Sequence, residues 1–560
     1  MARSRAKHAA VDMWLGAREW VRGKAWIVIL LLILVAVILR WEGLSSFWIN
    51  PDEGIYFSII TWPSSEQFWT EVSVNAHPPL FYLLLRLVAW LSEDFLWFRL
   101  VALVSGSLAI WGFYLLGREL SGPLTGIAAA SFLTFSGTAI VQSQLMRPYM
   151  MQLALLVFAL WFLVRHLRTE RGRDLWPYSL LMLLATMTHY SSFFVASATM
   201  LVLAGLLLLG GIERRRIRAL LLAHVPILLG MVLLYFLHLR PSLVDSALQR
   251  QAQTGWLRPH MIHSLADLWS NSWGLMRYAF GPDFEGPAAV LFVAGLVIAA
   301  RRRRHWLYAL PLAVLLVALL AAAMQQYPVG CSRHSMYLCT VIYPTAAFAL
   351  GSGLLASGGH CLGTIAGAIL LLLLREPLSA IDGAREVPPV QEQILRRESL
   401  VEMEQVLAGV RQSPGLIIMS QQTYYFLVPK YRTEREAREW SGDRAYFHFK
   451  WDQAQVAVNF SGWNMTLDPS AADTDRHFYR FLDRLDREVP DLGVRRQAPA
   501  VLILGGWGSP LAGHLQELDR RLPEQSRLIG RGAGVPGLIV FEYDTRSFMR
   551  NMEAAFEKRR

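Results

Sequence analysis

The chain has 560 residues, 54% of them hydrophobic and 17% charged, with a formal net charge of +11. Soluble globular chains carry about a quarter charged residues, so this composition excludes an ordinary soluble protein. The basic excess is mostly arginine in short loops between apolar runs, which is how membrane proteins are oriented, so the charge does not imply a nucleic-acid partner.

The chain opens with a basic segment, residues 1–24, read as a cytoplasmic N-terminus. Ala25 to Leu39 follows as an apolar run. Its long charged head and the lack of a small-residue cleavage site make it an uncleaved first span rather than a signal peptide. Beyond it comes a first outer loop, 41–97, containing "FWINPDEGIYFSIITWP" from Phe47. There Asp52 and Glu53 follow a proline among Phe47, Trp48, Ile49 and Tyr56. Carboxylates beside aromatics at the bilayer edge lose water and require a partner.

The segment "HPPLFYLLLRLVAWL", His77 to Leu91, decides the topology. If it crossed the bilayer, the basic clusters at Arg165, Arg214 and Arg301 would all lie outside, against the positive-inside rule. It is short, opens with Pro-Pro and carries Arg86. It therefore reads as an interfacial helix resting at the headgroup boundary.

The expected order is then about eleven spans, each needing about 20 apolar residues or a little fewer. They are 25–40, 98–117, 122–143, 149–164, 175–190, 192–211, 218–238, 286–300, 305–324, 335–353 and 361–374. The stretch 239–285 between two of them is a long outer loop. From residue 376 the composition turns polar, and "GLIIMS" (415–420), "VAVNF" (456–460), "AVLILGG" (500–506) and "GLIVFEY" (537–543) read as buried strands between helical patterns. The fold class is thus mostly α: a polytopic membrane helical bundle over 25–375, with a C-terminal extracytoplasmic α/β domain over 376–560. Cys331, Cys339 and Cys361 cannot make a disulfide framework.

With this topology the distinctive polar residues gather at one surface. Asp52 and Glu53 follow the first span, His77 opens the interfacial helix, and Arg99 starts the second span. Arg147 in "QSQLMRPYMMQ" ends the third, "THYSS" places His189 and Tyr190 at a later turn, and "YPVGCSRHSMY" places Arg333 and His334 at another. Singly, such arginines snorkel and such histidines and tyrosines form belts. Together they suit departure of a lipid phosphate. Arginine stays charged and grips phosphate bidentately, and a carboxylate accepts the proton of an attacking hydroxyl. Sugar transfer from a polyprenyl phosphate needs both, and needs no nucleotide-binding glycine loop, of which the chain has none.

At these residues the chain resembles a known family. "NPDEGIYFSI", "HPPLFYLLLRL", "FRLVALVSGSLAIWGFYLLGREL", "SQLMRPYMMQLALL" and "SRHSMYL" are similar to the GT-C membrane glycosyltransferases, in particular glycosyltransferase family 39, the protein O-mannosyltransferase and aminoarabinose (lipid A) transferase superfamily. The resemblance runs over residues 25 to 200 and thins toward 375. It implies a GT-C fold and an inverting transfer from a polyprenyl-phosphate-linked sugar to a glycolipid, protein or envelope polymer, in the cell (inner) membrane with the active site outside. By similarity Asp52 is the catalytic carboxylate, supported by Glu53. Arg99, Arg147 and Arg333 are assigned to the donor phosphate, and His77, Tyr56, His189 and Tyr190 to substrate binding. No metal or other cofactor is expected. Two departures bear on specificity. Aminoarabinose transferases carry an acidic–lysine pair where this chain has "HPP", and the 239–285 loop is too short for the sugar-binding-like domain of fungal and animal mannosyltransferases. En bloc oligosaccharide transfer from a lipid diphosphate, and lipid or solute transport, are the alternatives.

Overall fold

The computed structural model describes residues 23–41, 44, 49, 51–62, 64–75, 77–92, 94–208, 214–240, 257–282, 284–302 and 305–356, residues 405, 408 and 409, and seven β-strands nearer the C-terminus. The chain forms two units: residues 1–45 with 59–391, and residues 46–58 with 392–560.

The first unit is helical. Its helices are α1 (Gly23–Trp41), then, after α2 (Pro51–Ile60), most of which belongs to the other unit, α3 (Ser65–Val74), α4 (Pro79–Leu91), α5 (Phe95–Ser121), α6 (Pro123–Phe135), α7 (Gly137–Gln144) and α8 (Tyr149–Thr169). They continue as α9 (Leu175–Thr188), α10 (Ser192–Leu208), α11 (Arg214–Leu234), α12 (Leu265–Phe280), α13 (Glu285–Arg301), α14 (His305–Ala323) and α15 (Cys339–Ala356). Among the described residues, five helices are long and apolar enough to cross a membrane, or seven if each of two bent pairs is one crossing. The expected span at 361–374 lies outside the described residues, as do residues 1–22.

Local chemistry sets the helix ends. Ser64 caps α3 by accepting the Gln67 amide, and Asp94 caps α5 by accepting the Leu96 amide at 2.9 Å. Gly122, at φ +101°, ends α5 in a backbone conformation that suits glycine, and Pro123 starts α6 at once. Helix α4 also starts on proline, and its 13 residues extend only about 20 Å at 1.5 Å per residue. That is too short for a crossing, as expected of the "HPP" segment. Its Arg86 lies over the Phe68 ring of α3, 4.3 Å from the centroid.

Two features differ from the expected spans. The third, 122–143, is broken: α6 and α7 meet at 61°, with Ser136 capping α7. The carbonyls left at the end of α6 are taken by Arg40 from α1. Its guanidinium donates to Leu133 O at 3.0 Å and Thr134 O at 3.3 Å, and to Ser143 Oγ at 3.0 Å. A fully buried cation at the negative end of a helix is favourably placed. In addition, the 239–285 stretch is not all loop. It contains α12, bent 98° from α13 and presenting Leu265, Trp269 and Trp273 outward, the two indoles stacked.

The bundle core is closely packed. Helix α5 packs on α6 and α8, α8 on α9, α10 on α14, and α13 on α15. Phe113, Phe132, Phe280 and Tyr343 form an aromatic knot joining α5, α6, α12 and α15, with centroids 5.0–5.9 Å apart. Gly295 of α13 lets the helices meet: a Cβ there would lie 2.2 Å from Thr345 O of α15.

The second unit holds all but the last two residues of α2 (Pro51–Ile60) and a seven-stranded sheet ordered β2-β3-β4-β1-β5-β7-β6. Its strands are β1 (Gly415–Ser420), β2 (Glu439–Trp440), β3 (Tyr446–Trp451), β4 (Ala454–Asn459), β5 (Ala500–Gly506), β6 (Leu528–Arg531) and β7 (Leu538–Asp544). The neighbours of strand β1 are the parallel strands β4 and β5, while β3 and β7 add antiparallel pairs outside them. The four strands expected from sequence are β4, β1, β5 and β7, which are contiguous in the sheet. The helices expected between them lie outside the described residues.

Candidate anion-binding site

Four polypeptide turns of the first unit bring their side chains together. His77 precedes α4, Arg147 precedes α8, His189 precedes α10, and Arg333 and His334 open a 3-10 helix (Arg333–Leu338) leading into α15. The ring centroids of His77 and His189 are 5.0 Å apart, and Tyr149, the first residue of α8, lies 5.2 Å from His189 and 6.2 Å from His334. Tyr327 closes the ring, 5.8 Å from His334 and 6.4 Å from His189. The N-terminal ends of helices thus converge here, and each carries partial positive charge and amide donors.

The electrostatics follow from burial and neighbours. Burial, with His189, Arg147, His334 and Arg333 close by, holds the His77 imidazole well below its usual range. His334 is held down likewise by burial and by Arg333, His189, His260 and Arg147. Both rings are therefore neutral near pH 7, and the guanidinium groups of Arg147 and Arg333 stand beside them. The cluster is rich in donors and positive charge. Nearby, the Tyr278 and Tyr337 hydroxyls are buried without a hydrogen-bond partner among the described residues. Such an arrangement accepts an anion with hydroxyl-bearing substituents. Among the described residues, no group of three or more His, Cys, Asp and Glu side chains could hold a metal ion.

The histidine orientations are set locally. The Ser191 amide donates to His189 Nδ1 at 3.2 Å, with Ser191 Oγ 2.9 Å from the same nitrogen. Ser332 Oγ stands 2.9 Å from His334 Nδ1 and accepts the His334 amide. Gln152, one turn into α8, donates to Ser191 Oγ at 2.7 Å and Ser192 Oγ at 2.8 Å.

Of the residues expected from sequence, His77, Arg147, His189 and Arg333 come together. Arg99 is buried and donates to Leu44 O at 2.7 Å, with Phe95 against its guanidinium. The Tyr190 hydroxyl turns instead to His238 Nδ1, whose Nε2 donates to Val72 O at 2.7 Å. Asp52 and Glu53 occupy the first turn of α2, a helix rather than a loop, and Tyr56 follows them on it. Carboxylates in a first turn are stabilised by the helix dipole. These three belong to the second unit. Sequence reasoning passed over Tyr149, Tyr327, Gln152 and Ser191. The signal for Tyr149 and Gln152 was present in "RPYMMQ": a polar residue three after Tyr149 shares its helix face.

Residues 76–239 match the family model of the dolichyl-phosphate-mannose-protein mannosyltransferases, an interval holding His77, Arg147 and His189. No curated protein matches the chain in sequence. Among solved structures, the chain is similar to ArnT from Cupriavidus metallidurans in the apo state, at 15% identity and a TM-score of 0.53, covering 95% of this chain and 99% of that one. It is similar to the same protein bound to undecaprenyl phosphate, at 14% identity and a TM-score of 0.52, with 93% and 98% covered. The oligosaccharyltransferase of Archaeoglobus fulgidus in complex with Zn and sulfate matches at 13% identity and a TM-score of 0.52, with 85% and 67% covered. At these identities the likeness is one of fold. This chain is a multi-pass membrane protein with the fold of the GT-C membrane glycosyltransferases, and over residues 76–239 it resembles the dolichyl-phosphate-mannose-protein mannosyltransferases in sequence.

Proposed function

We propose that the chain is an inverting glycosyltransferase that moves a sugar from a polyprenyl-phosphate donor to an extracytoplasmic glycolipid, protein or envelope polymer. The observation that carries this reading is the meeting of Arg147 and Arg333 with neutral His77 and His334 at converging helix N-termini. A site of this kind holds a monophosphate that gains charge as the sugar leaves. The undecaprenyl phosphate bound to ArnT, a protein of the same fold, supports the same class of donor.

In the proposed reaction the acceptor hydroxyl attacks the anomeric carbon as the bond from that carbon to the phosphate oxygen breaks. The electron pair leaves with the phosphate, where arginine and imidazole donors stabilise it. Asp52, by the resemblance to family 39, takes the hydroxyl proton, and Glu53 supports it. Arg99 belongs to the same donor assignment, and Tyr56 and Tyr190 to substrate binding. Sugar inversion follows from a single displacement. The site faces away from the cytoplasm in this proposal, because the arginine-rich loops mark the opposite side.

A purified assay offering one sugar on either a polyprenyl monophosphate or a diphosphate tests the reading. Transfer from the monophosphate alone is expected. Transfer only from the diphosphate identifies en bloc oligosaccharide transfer instead, and lipid flux across liposomes without transfer identifies a transporter.

A further inference from the structure

We infer that Gln152 and Ser191 are positioning residues that lock His189 as a neutral imidazole with its proton on Nε2, making it a dedicated hydrogen-bond donor to the donor phosphate. The inference rests on the reading of the cluster as the donor-phosphate site.

The direction of each hydrogen bond follows from its neighbours. Ser192 Oγ donates its single proton to Ala185 O at 2.9 Å. Toward Gln152, 2.8 Å away, that oxygen can only accept, which assigns the facing Gln152 atom as the amide nitrogen. The same NH2 group donates to Ser191 Oγ at 2.7 Å. Ser191 Oγ also lies 2.9 Å from His189 Nδ1, and because it keeps a second lone pair after accepting from Gln152, its direction there is set by the contact that follows. The Ser191 backbone amide, which can only donate, meets the same Nδ1 at 3.2 Å. Nδ1 is thus an acceptor twice over, and the ring proton resides on Nε2.

All of these groups are buried, so water cannot exchange for any link. Gln152 lies on α8, Ser192 begins α10 and Ser191 directly precedes it, so the relay also ties together two helices whose N-termini approach the cluster. A ring free to carry its proton on Nδ1 would instead turn a bare Nε2 lone pair toward the cluster and repel an anion. Gln152 supplies the side-chain amide of the relay. A carboxylate in its place accepts rather than donates and reverses the direction of the Ser191 bond.

The test uses the full chain in lipid nanodiscs with 15N-labelled histidine, the His189 signal being identified by its loss in His189→Gln. Nitrogen chemical shifts read the tautomer directly, and binding of undecaprenyl phosphate reads the consequence. The wild-type protein is expected to show Nε2–H at His189. Gln152→Glu is expected to shift the proton to Nδ1 and weaken undecaprenyl phosphate binding about tenfold. Ser191→Ala, a smaller change, is expected to mix the tautomers and weaken binding less. An Nδ1–H ring in the wild type, or Gln152→Glu and Ser191→Ala proteins with unchanged tautomer or affinity, overturns the inference. Should Gln152→Glu fail to fold, Ser191→Ala decides alone. Wild-type protein that carries the Nε2–H ring yet binds no undecaprenyl phosphate overturns the donor reading and the role given to the relay with it, while the tautomer assignment stands.

Discussion

His77 and His189 stand with ring centroids 5.0 Å apart, although one opens the short α4 and the other joins α9 to α10. Two imidazoles this close, with Arg147 and Arg333 beside them, cannot both be charged at low cost. Burial and these neighbours therefore hold His77 below its ordinary value of 6.5, and His334 likewise.

The sign of the pH effect follows. Below about pH 6.5 the unfolded chain binds protons at these histidines that the folded chain refuses, so stability is full above that pH and falls as pH drops through it. Thermal midpoints measured from about pH 8 down to about pH 5 are expected to decline only in the acid half of that range. His77→Gln and His334→Gln together should flatten the decline. Undecaprenyl phosphate should reduce it too, since a bound anion favours the protonated rings.

Asp52→Asn is expected to lower transfer by about a hundredfold to ten-thousandfold, the contribution of a positioned general base. The amide keeps the shape of the side chain, so the thermal midpoint should stay near that of the wild type. Sugar transfer at wild-type rate in this variant would remove Asp52 from the chemistry.

Arg147→Ala and Arg333→Ala are each expected to weaken binding of undecaprenyl phosphate by about 1.5–3 kcal/mol, the range for a charged hydrogen bond, or roughly ten- to a hundredfold in Kd. Lysine at either position should recover only part, because a point charge cannot make two parallel bonds to phosphate oxygens. Equilibrium binding in detergent measures both effects. Wild-type affinity in Arg147→Ala would separate that arginine from the phosphate.

Arg40→Leu tests the joint between α6 and α7. Four hydrogen bonds, to Ser143 Oγ, Ala36 O, Thr134 O and Leu133 O, disappear with the guanidinium. Buried carbonyls at a helix end then have no donor, at a cost of about 1–3 kcal/mol each before relaxation. A marked fall in thermal midpoint is expected, larger than for Arg40→Lys.

Gly295→Ala should lower stability by about 1–3 kcal/mol, because its Cβ would be driven into Thr345 O. Gly205→Ala is the control: nothing lies within 4 Å of a Cβ there, so the change should be neutral or stabilising. Thermal denaturation of the two variants side by side measures the difference.

Much of this molecule was readable along the chain, because hydropathy and turn chemistry are local. The apolar runs announced most of the bundle helices, though not α2, α3 and α12, which lie in stretches expected to be loops; Pro78 and Pro79 announced the start of a helix too short to cross, and the four most apolar C-terminal segments proved to be the contiguous strands β4, β1, β5 and β7. Strands β2, β3 and β6 lie outside those four and carry mixed residues such as the Lys450 of β3, so they lack the unbroken apolar run that marks an inner strand. His77, Arg147, His189 and Arg333 could be singled out because charged or titratable groups at span ends are costly and stand out from their surroundings. Tertiary packing alone decided the rest. Nothing near Arg40 indicates that it will cap a helix some ninety residues away, since its partners are backbone carbonyls with no signature of their own. Nor does Gln152 look different from any polar residue in a span until α8 and α10 meet and give its amide two serines to hold. Hydrophobic burial, summed over neighbours in sequence, makes the helices; which polar groups then face one another depends on distances between helices, and those exist only in the packed bundle.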